Sequence, residues 1–245
     1  MTSAPDLEGR TALVTGSATR VGRELLLRIA ACGADVVVHY RTSEAEAAAT
    51  AEQARDHGVA ATTVQGDITV PAEVDALFST AEADLDSVDI LVNNVGNFDP
   101  RHWEAIEWEA WRSVVESTFY GTVLCSRRAL GGMRSQEWGR IINIGFADSD
   151  QLHAPPVNFP YFVAKTGVLM FTRMLAGDTQ EDGITVNAVS PFAVENTVSD
   201  VSAFPRGRAA SFDDVAAPML FFLSEEAAYI SGENVAVDGG RLTES

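Results

Sequence analysis

Tyr161 and Lys165 stand four residues apart in "PYFVAKTG" (160–167), and Lys165 is the only lysine among 245 residues. The other sixteen basic side chains are all arginine. Positions i and i+4 of a helix share a face, so the phenol and the ammonium point the same way. A free phenol titrates near about pH 10, and a nearby ammonium lowers that value by favouring the ionised form. Such a pair suits proton transfer near neutral pH, with the tyrosine as acid and the ammonium also able to hold a sugar hydroxyl. Arginine is a poor substitute, being bulkier and never deprotonated. The plain alternative is an amphipathic helix with one exposed lysine, which sits badly with a chain that has lysine nowhere else.

A second constellation lies near the start, where "TALVTG" runs into "SATRVGRELLLRIAACGA". A strand, a turn carrying Gly16 and Gly22, and an amphipathic helix make a cradle for a pyrophosphate: glycine lets backbone approach, and the helix start offers N–H groups. Gly16, Ala18, Thr19, Arg20 and Val21 are the loop positions expected to face a dinucleotide. Arg20 replaces the usual middle glycine, and its guanidinium is available to phosphates or to a substrate. The next strand ends in Tyr40, followed by Arg41, Thr42 and Ser43. Enzymes using the unphosphorylated cofactor usually carry Asp or Glu at this point. A cation beside two hydroxyls suits a ribose 2′-phosphate instead, so NADP(H) is the expected cofactor. Thr42 or Ser43 also reads as the N-cap of the following helix.

The elements that must position these groups are legible from apolar runs. Segments 11–16, 34–40, 60–67, 88–96, 139–145, 184–191 and 234–240 are short, rich in Val and Ile, and show little alternation, as strands covered on both faces do. Helix-like stretches at 20–32, 43–57, 71–85, 104–131, 161–177 and 212–224 lie between them. The alternation predicts an α/β fold: a doubly wound, Rossmann-type parallel sheet of seven strands with helices on both faces, in one domain spanning 1–245. The poorly patterned stretch 192–211 is expected to be a loop over the site.

Composition narrows the partners. Seventeen basic residues face 35 acidic ones, a formal net charge of −18. That surface repels nucleic acid and anionic membranes. The same excess fits either adaptation to high cytoplasmic salt or a GC-rich genome that replaces Lys with Arg. Cys32 and Cys125 form no disulfide framework, the four histidines lack ligand spacing, and no metal is expected. No secretory leader or membrane-length apolar run is present, so a cytoplasmic protein is expected.

Taken in order, "TGSATRVG", "GDI" (66–68), "NNVG" (93–96), "GRIINIG", "YFVAK", "ITVNAVSP" and "YISGENVAVDGG" resemble the short-chain dehydrogenase/reductase family over essentially the whole chain. The resemblance implies that Asp67 and Ile68 hold the adenine, that Asn94, Val95 and Gly96 line the cofactor, and that Pro191 and Val194 flank the nicotinamide. It also implies a homotetramer in which the 104–131 and 161–177 helices meet a neighbour. The small-molecule substrate would be a 3-oxoacyl thioester or a similar ketone, with Tyr161 as proton donor.

Three departures surround the implied catalytic site. Counting forward from the fifth strand places Phe146 where the family has its serine, whereas counting thirteen back from Tyr161 reaches Asp148; the mismatch suggests a two-residue insertion in "FADSDQLHAPPVNFP" and leaves Asp148, Ser149 and Asp150 all as candidates. The family's helix asparagine is Thr118, and the glycine after Pro191 is Phe192. Phe98, Phe146, Phe159, Phe192 and Phe204 fall in loops that rim the crevice, and Phe98, Phe146 and Phe192 are the candidate substrate contacts, suited to a flat ring or an acyl chain. Arg20, His39-Tyr40, Ser43, Phe98 and Asp148 are also similar to pteridine reductases, a branch with Asp in the serine's place. A nucleotide-binding protein of this fold with little turnover is the remaining alternative.

Overall fold

The computed structural model describes residues 4–151, 155–195 and 204–241. Seven parallel strands form one sheet: β1 (Thr11–Val14), β2 (Asp35–Tyr40), β3 (Ala61–Gln65), β4 (Ile90–Asn93), β5 (Gly139–Ile144), β6 (Ile184–Pro191) and β7 (Asn234–Val237). Their order is β3-β2-β1-β4-β5-β6-β7, so the winding reverses between β1 and β4 and opens a crevice at their C-terminal ends. The helices are α1 (Arg20–Ala30), α2 (Glu44–Arg55), α3 (Pro71–Leu85), α4 (Trp108–Val115), α5 (Gly121–Ser135), α6 (Phe159–Asp178) and α7 (Phe212–Leu223).

Every residue of β1, β4, β5 and β6 is buried, which is why these runs lack polar alternation. Successive side chains still point to opposite faces. Ala12, Val14, Val36, Val38, Ile90 and Val92 pack beneath α1, α2 and α7. Leu13, Val37 and Leu91 pack on the other side against Val74, Leu77 and Phe78 of α3 and Cys125, Ala129 and Met133 of α5.

The helix predicted over 104–131 is broken. A short 3-10 turn (Trp103–Ala105) precedes α4, and a π-helical turn (Glu116–Tyr120) separates α4 from α5. Within it the Gly121 N–H donates to the Glu116 carbonyl, five residues back. Packing holds this turn. A side chain at Gly121 would come within 2.6 Å of Ile68, and one at Gly167 of α6 within 3.2 Å of the Phe119 ring. The loop expected at 192–211 is only partly described; residues 196–203 lie outside the described segments.

No described helix is long and apolar enough to cross a membrane. Among the described residues no group of three or more His, Cys, Asp or Glu side chains could hold a metal. The arginines largely serve exposed ion pairs, such as Arg134 with Asp178 and Asp182 and Arg173 with Asp150. Exposed pairs of this kind contribute little. Long-range repulsion from the −18 charge therefore governs the salt response, and screening relieves it. The thermal midpoint is expected to rise by several degrees between low-salt buffer and molar KCl. A flat or falling midpoint would count against salt adaptation and for genome composition.

Candidate active site

The turn after β1 is built first. Gly16 adopts φ +65°, and a side chain at Gly22 would lie 2.5 Å from the Gly16 carbonyl and 2.6 Å from Asn94 Nδ2, so the loop closes only over bare backbone. Asn94 donates from Nδ2 to the Thr15 carbonyl at 3.0 Å, and its own N–H donates to Thr15 Oγ1 at 2.9 Å. The first strand and "NNVG" are thereby joined at the crevice.

His39 braces the same turn from β2. Its Nδ1 accepts from the Gly16 N–H at 2.9 Å, which leaves Nε2–H to donate to the Gly66 carbonyl at 3.0 Å. The ring is 2% exposed, and burial pushes its pKa below the ordinary histidine value. It is a neutral strut, and its position inside an otherwise apolar strand was the available signal.

Arg20 opens α1 with a left-handed backbone (φ 54°), an exposed residue where glycine is unstrained. Arg41 is exposed beside Asp67, Nη1 to carboxylate 3.5 Å, and Thr42 is exposed next to it. Ser43 occupies the N-cap position of α2 but makes no side-chain capping bond, so its hydroxyl is not spent on the helix. Tyr40, Ile68, Val194 and the end of β6 at Pro191 are buried around the crevice, with Phe192 half-buried next.

Tyr161 and Lys165 lie on the first turns of α6. Lys165 is 2% exposed, and its ammonium donates to the Ile144 carbonyl, the last of β5, at 2.5 Å. Nζ stands 5.5 Å from the Tyr161 ring centre. The backbone of Gly96 runs against both: a side chain there would lie 3.2 Å from Tyr161 Cε2 and 3.3 Å from Lys165 Nζ. Burial pushes the Lys165 ammonium down to about 7 and the Tyr161 phenol above the ordinary tyrosine value. The sequence predicts a phenol lowered by its lysine; here burial outweighs that attraction, because both groups share one poorly hydrated crevice.

Aromatic rings close the far wall. Phe98 and Phe146 meet the Tyr161 ring edge-on, at centroid distances of 5.9 and 5.7 Å. Phe146 also touches Phe162 (5.1 Å) and Phe192 (5.8 Å), and Phe192 touches Phe204 (5.6 Å). Phe159 lies apart from this group, against Trp111 of α4. The loops are stitched by Asn158, whose Oδ1 accepts from the Asp99 N–H and whose N–H donates to the Arg101 carbonyl.

Of the residues considered for the serine position, Phe146 stands at the phenol ring and Asp150 pairs with Arg173. Asp148, in a 3-10 turn (Ala147–Gln151), gives both carboxylate oxygens to Arg241, at 2.5 and 2.6 Å from Nη1. Arg241 was not foreseen, since nothing links positions 93 residues apart without a structure. Ser149 Oγ and Thr118 Oγ1 are buried with no hydrogen-bond partner among the described residues, and Thr118 sits within the π-helical turn.

A family model described as enoyl-(acyl carrier protein) reductase matches residues 16–241. The chain belongs to the short-chain dehydrogenase/reductase family. Within that family it is 32% identical over 244 residues to a 3-oxoacyl-(acyl-carrier-protein) reductase of Aquifex aeolicus, covering 96% of this chain and 98% of that one. A gluconate 5-dehydrogenase from Burkholderia cenocepacia, solved with NADP and tartrate, is 30% identical with a TM-score of 0.88, covering 96% and 95% of the two chains. A landomycin C-6 ketoreductase, solved with NADP and rabelomycin, is 28% identical with a TM-score of 0.87, covering 98% of each. Oxidoreductase chemistry on a nicotinamide cofactor is the activity of such short-chain dehydrogenases, and the glycine-floored turn fits a dinucleotide pyrophosphate.

Proposed function

We propose that this protein is an NADPH-dependent reductase of an apolar ketone, of the 3-oxoacyl thioester type or similar in shape. The observation that carries the reading is the pair on α6: Lys165 buried and Tyr161 half-buried against Gly96, with the phenol ring facing an aromatic wall. When bound, the cofactor supplies a hydride to the carbonyl carbon. Tyr161 stays protonated across physiological pH, as a proton donor must, and hands that proton to the carbonyl oxygen. Lys165 stabilises the phenolate left behind, and its ammonium would hold the nicotinamide ribose. Asn94, Val95, Gly96, Pro191 and Val194 would flank the cofactor, and Asp67 and Ile68 would receive the adenine.

The serine's hydrogen bond is absent in this reading. Phe146 takes its place, Asp148 acts through Arg241 rather than on the substrate, and Phe98 and Phe192 complete an apolar clamp. Orientation then comes from ring packing, which favours flat or extended apolar ketones. Thr118, with an unpartnered buried hydroxyl, is the relay position in place of the family's asparagine. We place the protein in the cytoplasm as a homotetramer. Outward apolar side chains on α4 (Trp108) and α6 (Val163, Met170, Met174) support that assembly.

The test is NADPH oxidation against a panel of aryl ketones, 3-oxoacyl thioesters and dihydropterin. No turnover with any of them would leave the alternative of a nucleotide-binding protein. The cofactor choice has its own check. NADPH should bind at least about tenfold more tightly than NADH, as expected for a charge-assisted contact of Arg41 and Ser43 with a 2′-phosphate. Arg41→Ala should erase most of that preference. Equal affinities in the wild type would refute it.

A further inference from the structure

Arg241 is held on two sides. Its guanidinium carbon lies 4.0 Å above the Phe192 ring, and its Nη1 faces both oxygens of Asp148, whose side chain is 8% exposed. The chain reaches this position by a sharp reversal after β7. Gly239 and Gly240 are both left-handed, and Asp238 Oδ1 accepts the Gly240 N–H at 2.9 Å. Phe192 is itself tied to β7, its N–H donating to the Val237 carbonyl at 3.2 Å. From Phe192 the contacts run on to Phe146 and from Phe146 to the Tyr161 ring.

We propose that Arg241 is a positioning residue that fixes the width of the substrate crevice, clamping Phe192, and through it Phe146, against the Tyr161 ring. The inference rests on the reductase reading only for its substrate. A planar guanidinium bound to a carboxylate can lie flat on a ring, which gives the ring one orientation. Asp148 supplies the anchor: a nearly buried carboxylate paired with Arg241 fixes where that guanidinium sits. The Phe146 side chain carries no hydrogen-bond donor, so at this position ring orientation is what selects a substrate. Release of Arg241 frees Phe192 and then Phe146 to change rotamer, and the widened crevice holds flat ligands less tightly.

The experiment compares wild type with Arg241→Met, Asp148→Asn, the double variant and Arg241→Lys. The probe is 2-acetylnaphthalene, with equilibrium dialysis for its Kd and NADPH oxidation for KM and kcat. Both single variants should raise Kd and KM by about tenfold or more while kcat and NADPH affinity stay near wild type, and the double variant should be no worse than either single one, because the two residues act as a unit. Arg241→Lys keeps the ion pair without the planar stack, so it should restore thermal stability and only part of the affinity. Kd values unchanged in both single variants, or losses that add in the double variant, would overturn the proposal. So would parallel losses of NADPH affinity and kcat, which mark general damage. Wild-type binding without turnover would sink the reductase reading alone, whereas no wild-type binding of the probe would overturn the clamp.

Discussion

Tyr161→Phe is expected to lower ketone reduction by about 10²–10⁴-fold, the range for a lost general acid, while leaving NADPH affinity almost unchanged. The substitution removes one oxygen and keeps the ring. The edge-on contacts with Phe98 and Phe146 therefore persist, and so does the close approach of Gly96. Folding stability should be unaffected or slightly raised, because the phenol oxygen of this half-buried residue no longer needs a partner. The loss should fall on kcat and kcat/KM alike, the mark of a group used only in the transition state. NADPH oxidation at saturating ketone, with cofactor titration alongside, reads both quantities. Full activity in this variant would end the case for a phenol donor.

Lys165→Met should do more damage to function and less to the fold. Turnover and cofactor affinity both fall, because the ammonium serves the phenolate and the ribose together. Stability moves the other way. The folded-state value is depressed to about 7 from an ordinary lysine value, so below about pH 7 the native chain carries a buried charge at a cost. Between that pH and the unfolded value the native state sheds its proton first, the unfolded state holds more protons, and wild-type stability rises with pH. Tyr161 opposes this only above its own unfolded value near about pH 10, where its raised native pKa makes stability fall with pH. The cofactor-free variant should thus be more stable than wild type by on the order of a few kcal/mol near pH 6, with the gap closing towards pH 10. Urea titrations at pH 6, 8 and 9.5 measure it. A constant gap would show that the Lys165 ammonium is not destabilised by burial.

The sheet was readable because its strands are buried on both faces and so appear as unbroken Val and Ile runs, and each predicted strand encloses one observed strand. The glycine turn and the Tyr161–Lys165 spacing were readable because local backbone geometry fixes them. The break at 116–120 was not: "ESTFY" has no proline or glycine, and its π turn follows from how Phe119 and Gly121 pack against distant residues. Asp148 was ambiguous for a related reason. Loop length alone does not say which residue of 146–149 turns inward, and the partner that holds Asp148 comes from the other end of the chain.

The π turn between α4 and α5 stores one residue more than a straight α-helix would need. Each helical residue advances about 100° around the axis and about 1.5 Å along it. With the extra residue in place, Trp111 of α4 meets Phe159 while Cys125, Ala129 and Met133 of α5 face the sheet. Removing any one residue of 116–120 would let the two helices fuse into one rod, with α4 rotated away from α6. The phase of this wall is therefore written in chain length as well as in the packing of Phe119 and Gly121. Point substitutions along α4 leave it in place, whereas a three-nucleotide deletion in the coding sequence would turn the whole face at once.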